Sequence, residues 1–488
     1  MNKDFSALNP KLVWKHFAEI CRIPHPSSHE EAIRQYVIDF AKAQGLEWKE
    51  DAAHNVYVRK AASEGMENRV GVVIQAHLDM VPQKNNDKVF NFETDPIDAY
   101  IDGEWVTADG TTLGADNGIG AAAILAILED KSLSHGPVEA LFTATEETGM
   151  DGAFGLEGGM LQGDILLNLD SETEGELYVG CAGGLDATTT FEYEAEPTPA
   201  CDCVALKLTA KGLKGGHSGI QIGYQRANAN KVVFRFLDAI AEQYKFRIAS
   251  VDGGGLRNAI PREAEAVVLF CKSDVEAVKE AVKAYEQLII KEYTDIEDDA
   301  QFFAEEVAVP AELMPADLSD KLVKAIVGCP DGVQKMSLSM AGLVQTSTNL
   351  ARVVSNGKTV KVQCLLRSSV RSEKEALGAQ MKAVFALAGG KTELSGSYDG
   401  WNPNMKSPIL AAMTTSYEQL YGKRPAVTAI HAGLECGIIG SKYPNLDMIS
   451  FGPTICYPHS PDEKVEIASV EKFYDFLLRT LENIPVKA

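Results

Sequence analysis

The chain has 488 residues, 45% hydrophobic and 24% charged, with 46 basic against 69 acidic side chains and a formal charge of −23. That composition suits a soluble globular protein with a sizeable core, and the length exceeds what one average domain needs, so two are expected. So acidic a surface repels phosphate backbones and anionic lipid, which excludes nucleic acid and membranes as expected partners.

No apolar run approaches the roughly 20 residues that span a bilayer, and the first residues, Met-Asn-Lys-Asp-Phe, lack the features of a signal peptide. The nine cysteines are scattered without a Cys-x-x-Cys pair. They suggest neither a disulfide framework nor a thiolate zinc site. Only Cys201 and Cys203 lie close together, at a spacing that rarely bridges. Reduced thiols in a cytoplasmic protein are expected.

Asn9-Pro10 reads as the start of a helix, with proline at its first position. Ser28 and Glu31 read as a capping box before Ile33, Tyr36, Val37 and Phe40, with Gly45 closing the helix. Short apolar runs at 70–76, 138–144 and 164–169 read as strands covered on both faces, with a helix over 118–129 between the first two. This is the pattern of an α/β domain with a largely parallel sheet flanked by helices. From about Gly184 the texture changes to half-exposed alternating strands, at 188–193 and 204–211, and a long helix near 227–244. Asn258-Ala259-Ile260, the strand 264–271 and a helix from 274 echo Asn349-Leu350-Ala351, the strand 359–367 and a helix from 372. Two copies of one α+β unit would account for this middle region. After Trp401 a helix over 408–421, a strand over 446–451 and a helix over 470–481 restore the α/β pattern. The expected organisation is a discontinuous catalytic domain (1–184 and 401–488) with an inserted α+β lid of two related halves (185–400).

Five places carry candidate chemistry, and each is read as lying just beyond the carboxyl end of a strand, where open α/β sheets bind ligands. In His77-Leu78-Asp79, residues two apart face one side of an extended chain. Asp79 can therefore accept a hydrogen bond from the imidazole and fix its tautomer, as metal-binding histidines require. Asp116 lies in Gly114-Ala115-Asp116-Asn117-Gly118 at a helix start. A glycine fingerprint for dinucleotides follows at Gly118-Ile119-Gly120, but Asp109 and Asp116 surround the place a pyrophosphate would take, so a cation suits the loop instead. In Glu146-Glu147 adjacent side chains diverge, which suits a metal ligand beside a general base. Asp170 ends an apolar strand, and His459 stands in Tyr457-Pro458-His459-Ser460-Pro461. Singly, each is a common cap, turn or surface residue. Jointly, two histidines and three carboxylates suit zinc or a neighbouring first-row ion. With one carboxylate bridging, two ions would each keep three protein contacts and an open position.

At these residues the sequence resembles the co-catalytic zinc peptidases of the aminoacylase, carnosinase and glutamate carboxypeptidase family, over nearly the whole chain. The resemblance implies two Zn2+ ions, with Mn2+ or Co2+ as possible substitutes. Asp116 would bridge them; His77 and Asp170 would hold one, and Glu147 and His459 the other. It implies Asp79 as the partner of His77, Glu146 as the base that activates a metal-bridging water, His217 as an oxyanion contact and Asn258 as a substrate contact. Arg367 is a further candidate for the substrate carboxylate. Gly215–Gly219, His431–Glu435 and Pro458–Glu463 carry a closer likeness to dipeptidases of the family. It implies hydrolysis of small unblocked dipeptides, including Xaa-His dipeptides such as β-alanyl-histidine. A homodimer is the preferred assembly, and the longer, duplicated lid leaves open whether His217 serves its own active site or a partner's. The alternative for the same centre is removal of the acyl group from an N-acyl amino acid.

Overall fold

The computed structural model describes residues 2–200 and 202–487. The chain divides into two compact units, one formed by Met1–Cys181, Trp401–Ala429 and Leu434–Ala488, the other by Ala182–Gly400 and Ile430–Gly433. The inserted middle domain is thus present, and the chain re-enters it briefly at 430–433 between two stretches of the first unit.

The first unit is built on a mixed eight-stranded sheet. Its four central strands, Val138–Thr143, Val72–His77, Ile165–Asn168 and Asp447–Ser450, run parallel in that spatial order. Every residue of Val72–His77 and Val138–Thr143 is buried, as expected where helices cover both faces. The helix Ala115–Glu129 is buried at every position except Asp116 and Glu129. A helix apolar all round belongs inside a core, and its small residues let neighbours approach. A Cβ on Gly118 would stand 3.2 Å from the Phe17 ring of the helix Lys11–Arg22, and one on Gly120 would stand 2.9 Å from the Leu169 carbonyl oxygen. The glycines that resembled a dinucleotide fingerprint therefore serve helix packing.

Two helix starts differ from their sequence reading. Pro10 is the cap residue of Lys11–Arg22 rather than its first helical residue. The helix Glu31–Gln44 has no side-chain cap. Instead of a Ser28–Glu31 box, the Glu30 carboxylate accepts from Ser28 N and from both the backbone and hydroxyl of Thr145. Glu30, the residue at the cap position, uses its carboxylate for a long-range contact rather than for the helix start. Gly45 does close the helix, in the left-handed region at φ 69°.

The second unit is a nine-stranded antiparallel sheet with helices. One half runs strand Cys203–Lys211, helix Ala229–Ile240, strands Phe246–Gly254 and Ala264–Cys271, helix Val275–Glu292, strand Gln301–Val307. The other repeats this order with Gly183–Glu192, Ala316–Gly328, Val344–Ser355, Thr359–Ser368, Arg371–Leu387 and Lys391–Tyr398. The two related halves are present, but interleaved: the first strand of the second half precedes the whole first half in sequence. The asparagine match is not equivalent, because Asn349 lies within a strand while Asn258 lies in the loop after the corresponding one. The halves join where Phe246–Gly254 pairs with Val344–Ser355, with Gly254 opposite Arg352.

Among the described residues seven cysteines carry free thiols, five of them buried, but Cys203 is disulfide-bonded. The expectation of reduced thiols fails there, at the half-buried first residue of a strand where a thiol is not sealed in the core. Cys201 lies outside the described residues. Among the described residues no helix is long and apolar enough to cross a membrane.

Gly254 sits at φ 77°, and a Cβ added there would stand 1.8 Å from the Ala351 carbonyl oxygen. Gly254→Ala should open the seam between the halves and cost about 2 kcal/mol or more. It should be read as lost hydrogen-exchange protection across both seam strands.

Candidate metal centre

His77 closes a fully buried strand, and parallel pairing sets it beside Thr143 on the next strand. Just past the ends of these strands follow Glu146 and Glu147, and Asp170 stands two residues beyond the strand ending at Asn168. The other two candidates arrive differently. Asp116 stands at the start of Ala115–Glu129, where Asp116 and Asn117 leave helical geometry and the peptide between them is cis. The strand before it belongs to a separate four-stranded sheet. His459 occupies a turn after Ile455–Cys456, at φ 61°. Strand ends of the central sheet thus account for three of the five places, and a helix start and a turn for the others.

All five converge. His77 Nε2 lies 3.1 Å from Asp116 Oδ1 and 3.2 Å from Asp170 Oδ1. His459 Nε2 lies 3.2 Å from Asp116 Oδ2 and 3.0 Å from Glu147 Oε2. The two oxygens of one carboxylate therefore face two different imidazoles, each joined by a second carboxylate. His77, Asp116 and Asp170 form one group of donor atoms within 4.8 Å of one another, and Asp116, Glu147 and His459 form another. Glu146 belongs to a third group with His77 and Glu147. His77 is 1% exposed and His459 50%, so the centre opens on the His459 side.

The donor set fits divalent cations. Zinc bonds of 2.0–2.1 Å in a tetrahedron separate neighbouring donor atoms by about 3.3 Å, close to the spacings found. Among the described residues no lysine or arginine pairs with Asp116, Glu147 or Asp170, so the imidazoles are their only basic partners. Glu147 Oε1 is buried with no hydrogen-bond partner, a costly state unless a cation is near. The protonation preferences follow from this crowding. Hydrogen bonds to Asp116 and Glu147 push His459 up to about 11. Burial raises Asp170 to about 6. It also raises Glu146, helped by the charges of Asp170, Glu435 and Glu147 against the opposing His77. Burial alone would raise Asp116, but hydrogen bonds from His459 and His77 hold it well below the usual range.

Asp79 does more than expected, and partly otherwise. His77 Nδ1 lies 3.0 Å from its backbone carbonyl and 3.4 Å from its carboxylate. The carboxylate accepts from Glu146 N at 2.9 Å, Glu147 N at 3.2 Å and the Ser27 hydroxyl at 2.8 Å. It orders the turn that carries both glutamates as well as the histidine.

Several residues around the centre escaped the sequence reading. Asn117 Nδ2 donates to Asp170 Oδ1 at 2.6 Å. Glu463 meets the loop before Asp116. Near the candidate ligands, Gln75 donates to Thr143 and Glu435, Thr143 donates to Glu435, and Asn168 donates to Gln75. Glu435 is fully buried, which raises its carboxyl to about 8. Gln75, Thr143 and Asn168 were hidden in runs read as apolar; only their polarity within such runs marked them.

In the second unit, Gly216–His217 pairs with Ala259–Ile260, and Ser218 N donates to the Asn258 carbonyl, so His217 and Asn258 share one locality. The Asn258 side chain is exposed. His217 Nδ1 accepts from Gly219 N and Ile220 N, both at 3.1 Å, which leaves the ring proton on Nε2. Burial and the nearby Arg367 charge lower its pKa. Arg367 is 6% exposed, with Nε unpartnered and Nη1 donating to the Tyr398 hydroxyl. His431, unassigned by sequence, is buried against the Ser347 hydroxyl at 2.7 Å and pushed down to about 3 by burial and Arg367, so its ring is neutral.

In Asp79→Asn an amide nitrogen faces donors that the carboxylate accepted. This variant should keep its fold but bind divalent ions about 10–100-fold more weakly, measured as zinc retained after dialysis against a graded chelator.

Residues 73–483 match the sequence model of peptidase family M20/M25/M40. The chain is 47% identical to the cytosol non-specific dipeptidase of Escherichia coli K12, over 99% of this chain and all of that protein. It matches the crystal structure of aminoacylhistidine dipeptidase from Vibrio alginolyticus with a TM-score of 0.95 and 49% identity, over 99% of both chains. A Staphylococcus aureus tripeptidase, at 16% identity and a TM-score of 0.56 over 98% of this chain and 99% of its own, shares the fold alone. A match across most of its length, with a full-length relative at nearly half identity, makes this chain a member of peptidase family M20/M25/M40.

Proposed function

We propose that the protein is a cytoplasmic dinuclear zinc dipeptidase that hydrolyses unblocked dipeptides, Xaa-His dipeptides such as β-alanyl-histidine among them. The observation that carries this reading is the Asp116 carboxylate, whose two oxygens each face a separate histidine–carboxylate pair. His77, Asp116 and Asp170 would hold one ion, and Asp116, Glu147 and His459 the other. Both full-length relatives are named as dipeptidases, one as cytosolic and one for aminoacyl-histidine substrates, which favours this substrate class over N-acyl amino acids.

When bound, the ions supply Lewis acidity and ease the deprotonation of water near neutral pH. Glu146 is the base. Its carboxylate lies beside His77 and Glu147, and a proton affinity raised by burial suits a group that takes a proton from water and returns it to the leaving amine nitrogen. Asp79 holds the Glu146 backbone N–H and so sets where that carboxylate stands. By the resemblance, His217 with its neutral Nε2–H would serve the developing oxyanion, in its own or a partner's active site, Asn258 would contact the substrate, and the Arg367 cation would receive its carboxylate.

Glu146→Gln should retain both ions yet lose about 10³-fold or more in kcat, since the amide cannot accept the proton; wild-type turnover would remove Glu146 as the base. His217→Ala should lower kcat about 10²-fold, in the range for losing one oxyanion donor, with metal content unchanged. Side-by-side kcat/KM on free dipeptides and their N-acetyl amino acid counterparts tests the substrate class, and a preference for the acylated compounds would overturn the dipeptidase reading.

A further inference from the structure

Glu463 is a buried acid, 2% exposed, four residues beyond His459. Its Oε2 accepts from Leu113 N at 2.8 Å and Gly114 N at 3.0 Å, and its Oε1 from Ala115 N at 2.8 Å and Asp116 N at 3.2 Å. Four successive backbone donors converge on one carboxylate and fill its roughly four acceptor positions. They converge because Gly114 takes φ 73° and turns the chain, and because Asp116 and Asn117 leave helical geometry before the regular helix begins. No side chain within the loop caps it. The carboxylate is fixed in turn: Lys464–Glu466 pairs with Trp105–Ala108, and the Thr107 hydroxyl donates to the Glu463 carbonyl at 2.7 Å.

We propose that Glu463 is the positioning residue of the metal pair, gripping the Asp116 loop so that each oxygen of that carboxylate meets its own ion. The connection is a closed circuit. His459 leads through a short turn to Glu463, Glu463 holds 113–116, and Asp116 returns to His459 at 3.2 Å. The turn that supplies the outer histidine thus also sets the bridging carboxylate. A bridging ligand must satisfy two ions at once, so a small rotation of the loop weakens both; loss of a ligand private to one ion weakens mainly that one. The inference rests on the dinuclear reading of the centre.

Glu463→Gln is isosteric but keeps one acceptor oxygen, and its amide N–H₂ would face two of the four backbone N–H groups. Zinc transfer from the full-length holoenzyme to a chromogenic chelator reads each ion separately. The expected result is release of both ions at about 10-fold or more lower chelator concentration than wild type, with far-ultraviolet circular dichroism unchanged and turnover restored by excess zinc. A His459→Ala holoenzyme should lose one ion preferentially. Glu463→Asp, charged but one methylene shorter, should fall between wild type and Glu463→Gln. Both ions held by Glu463→Gln or Glu463→Asp as tightly as by wild type would overturn the proposal. So would preferential loss of a single ion, or failure of both variants to fold with zinc present, which would make Glu463 a folding residue only. A wild-type protein that releases fewer than two ions would instead remove the dinuclear reading itself.

Discussion

A carboxylate with an imidazole on each side is the arrangement on which the rest of this centre depends. Asp116 meets His77 through one oxygen and His459 through the other, while Asp170, Glu147 and Glu146 crowd the same space. Four carboxylates cannot share a buried volume as anions unless positive charge is set among them. Among the described residues no lysine or arginine pairs with Asp116, Glu147 or Asp170, so divalent cations are the fitting counter-charge. Neutral donors add to the imidazoles: Asn117 donates to the same Asp170 oxygen that faces His77, and the backbone of the Glu146–Glu147 turn donates to Asp79.

Precision in such a centre comes from its supports. Three of the five candidate places, at His77, Glu146–Glu147 and Asp170, follow parallel strands whose last residues include Gln75, Thr143 and Asn168, joined by hydrogen bonds to one another and to Glu435. All four of these polar side chains are buried. A connected buried network of this kind rigidifies what stands on it.

Much of this was legible in the sequence, for a physical reason. Strands buried on both faces leave a continuous apolar signal, and chemistry collects where that signal stops, as at His77, Glu146, Glu147 and Asp170. The interleaved halves of the second unit announced themselves through the strand and helix that follow Asn258 and Asn349, although only those elements, not the asparagines, correspond. Asp116 and His459 gave weaker local signals, because a helix start and a turn look alike whether or not they bind anything; their coincidence with the other three places singled them out, and the resemblance then gave them roles. What stayed illegible was long-range. Glu30 abandons a local cap for Thr145, Asp79 serves the Glu146–Glu147 turn, and Glu463 reaches back to residues 113–116. In each case a polar side chain satisfies backbone donors remote in sequence, and no periodicity or spacing rule records such a choice.

The strand Asp447–Ser450 lies between Ile165–Asn168 and Glu176–Cys181, at the centre of the catalytic sheet. A central position filled from beyond the inserted unit means that the sheet stays open until that whole unit has been made. The helix and strands made first must wait, with apolar edges uncovered, while the whole middle unit emerges. Pairings of such large sequence separation close slowly, and the unpaired edges of an unfilled slot, here between Ile165–Asn168 and Glu176–Cys181, are a template for a neighbouring chain. Shielding of the nascent N-terminal segment on the ribosome thus becomes part of what this topology demands of its host.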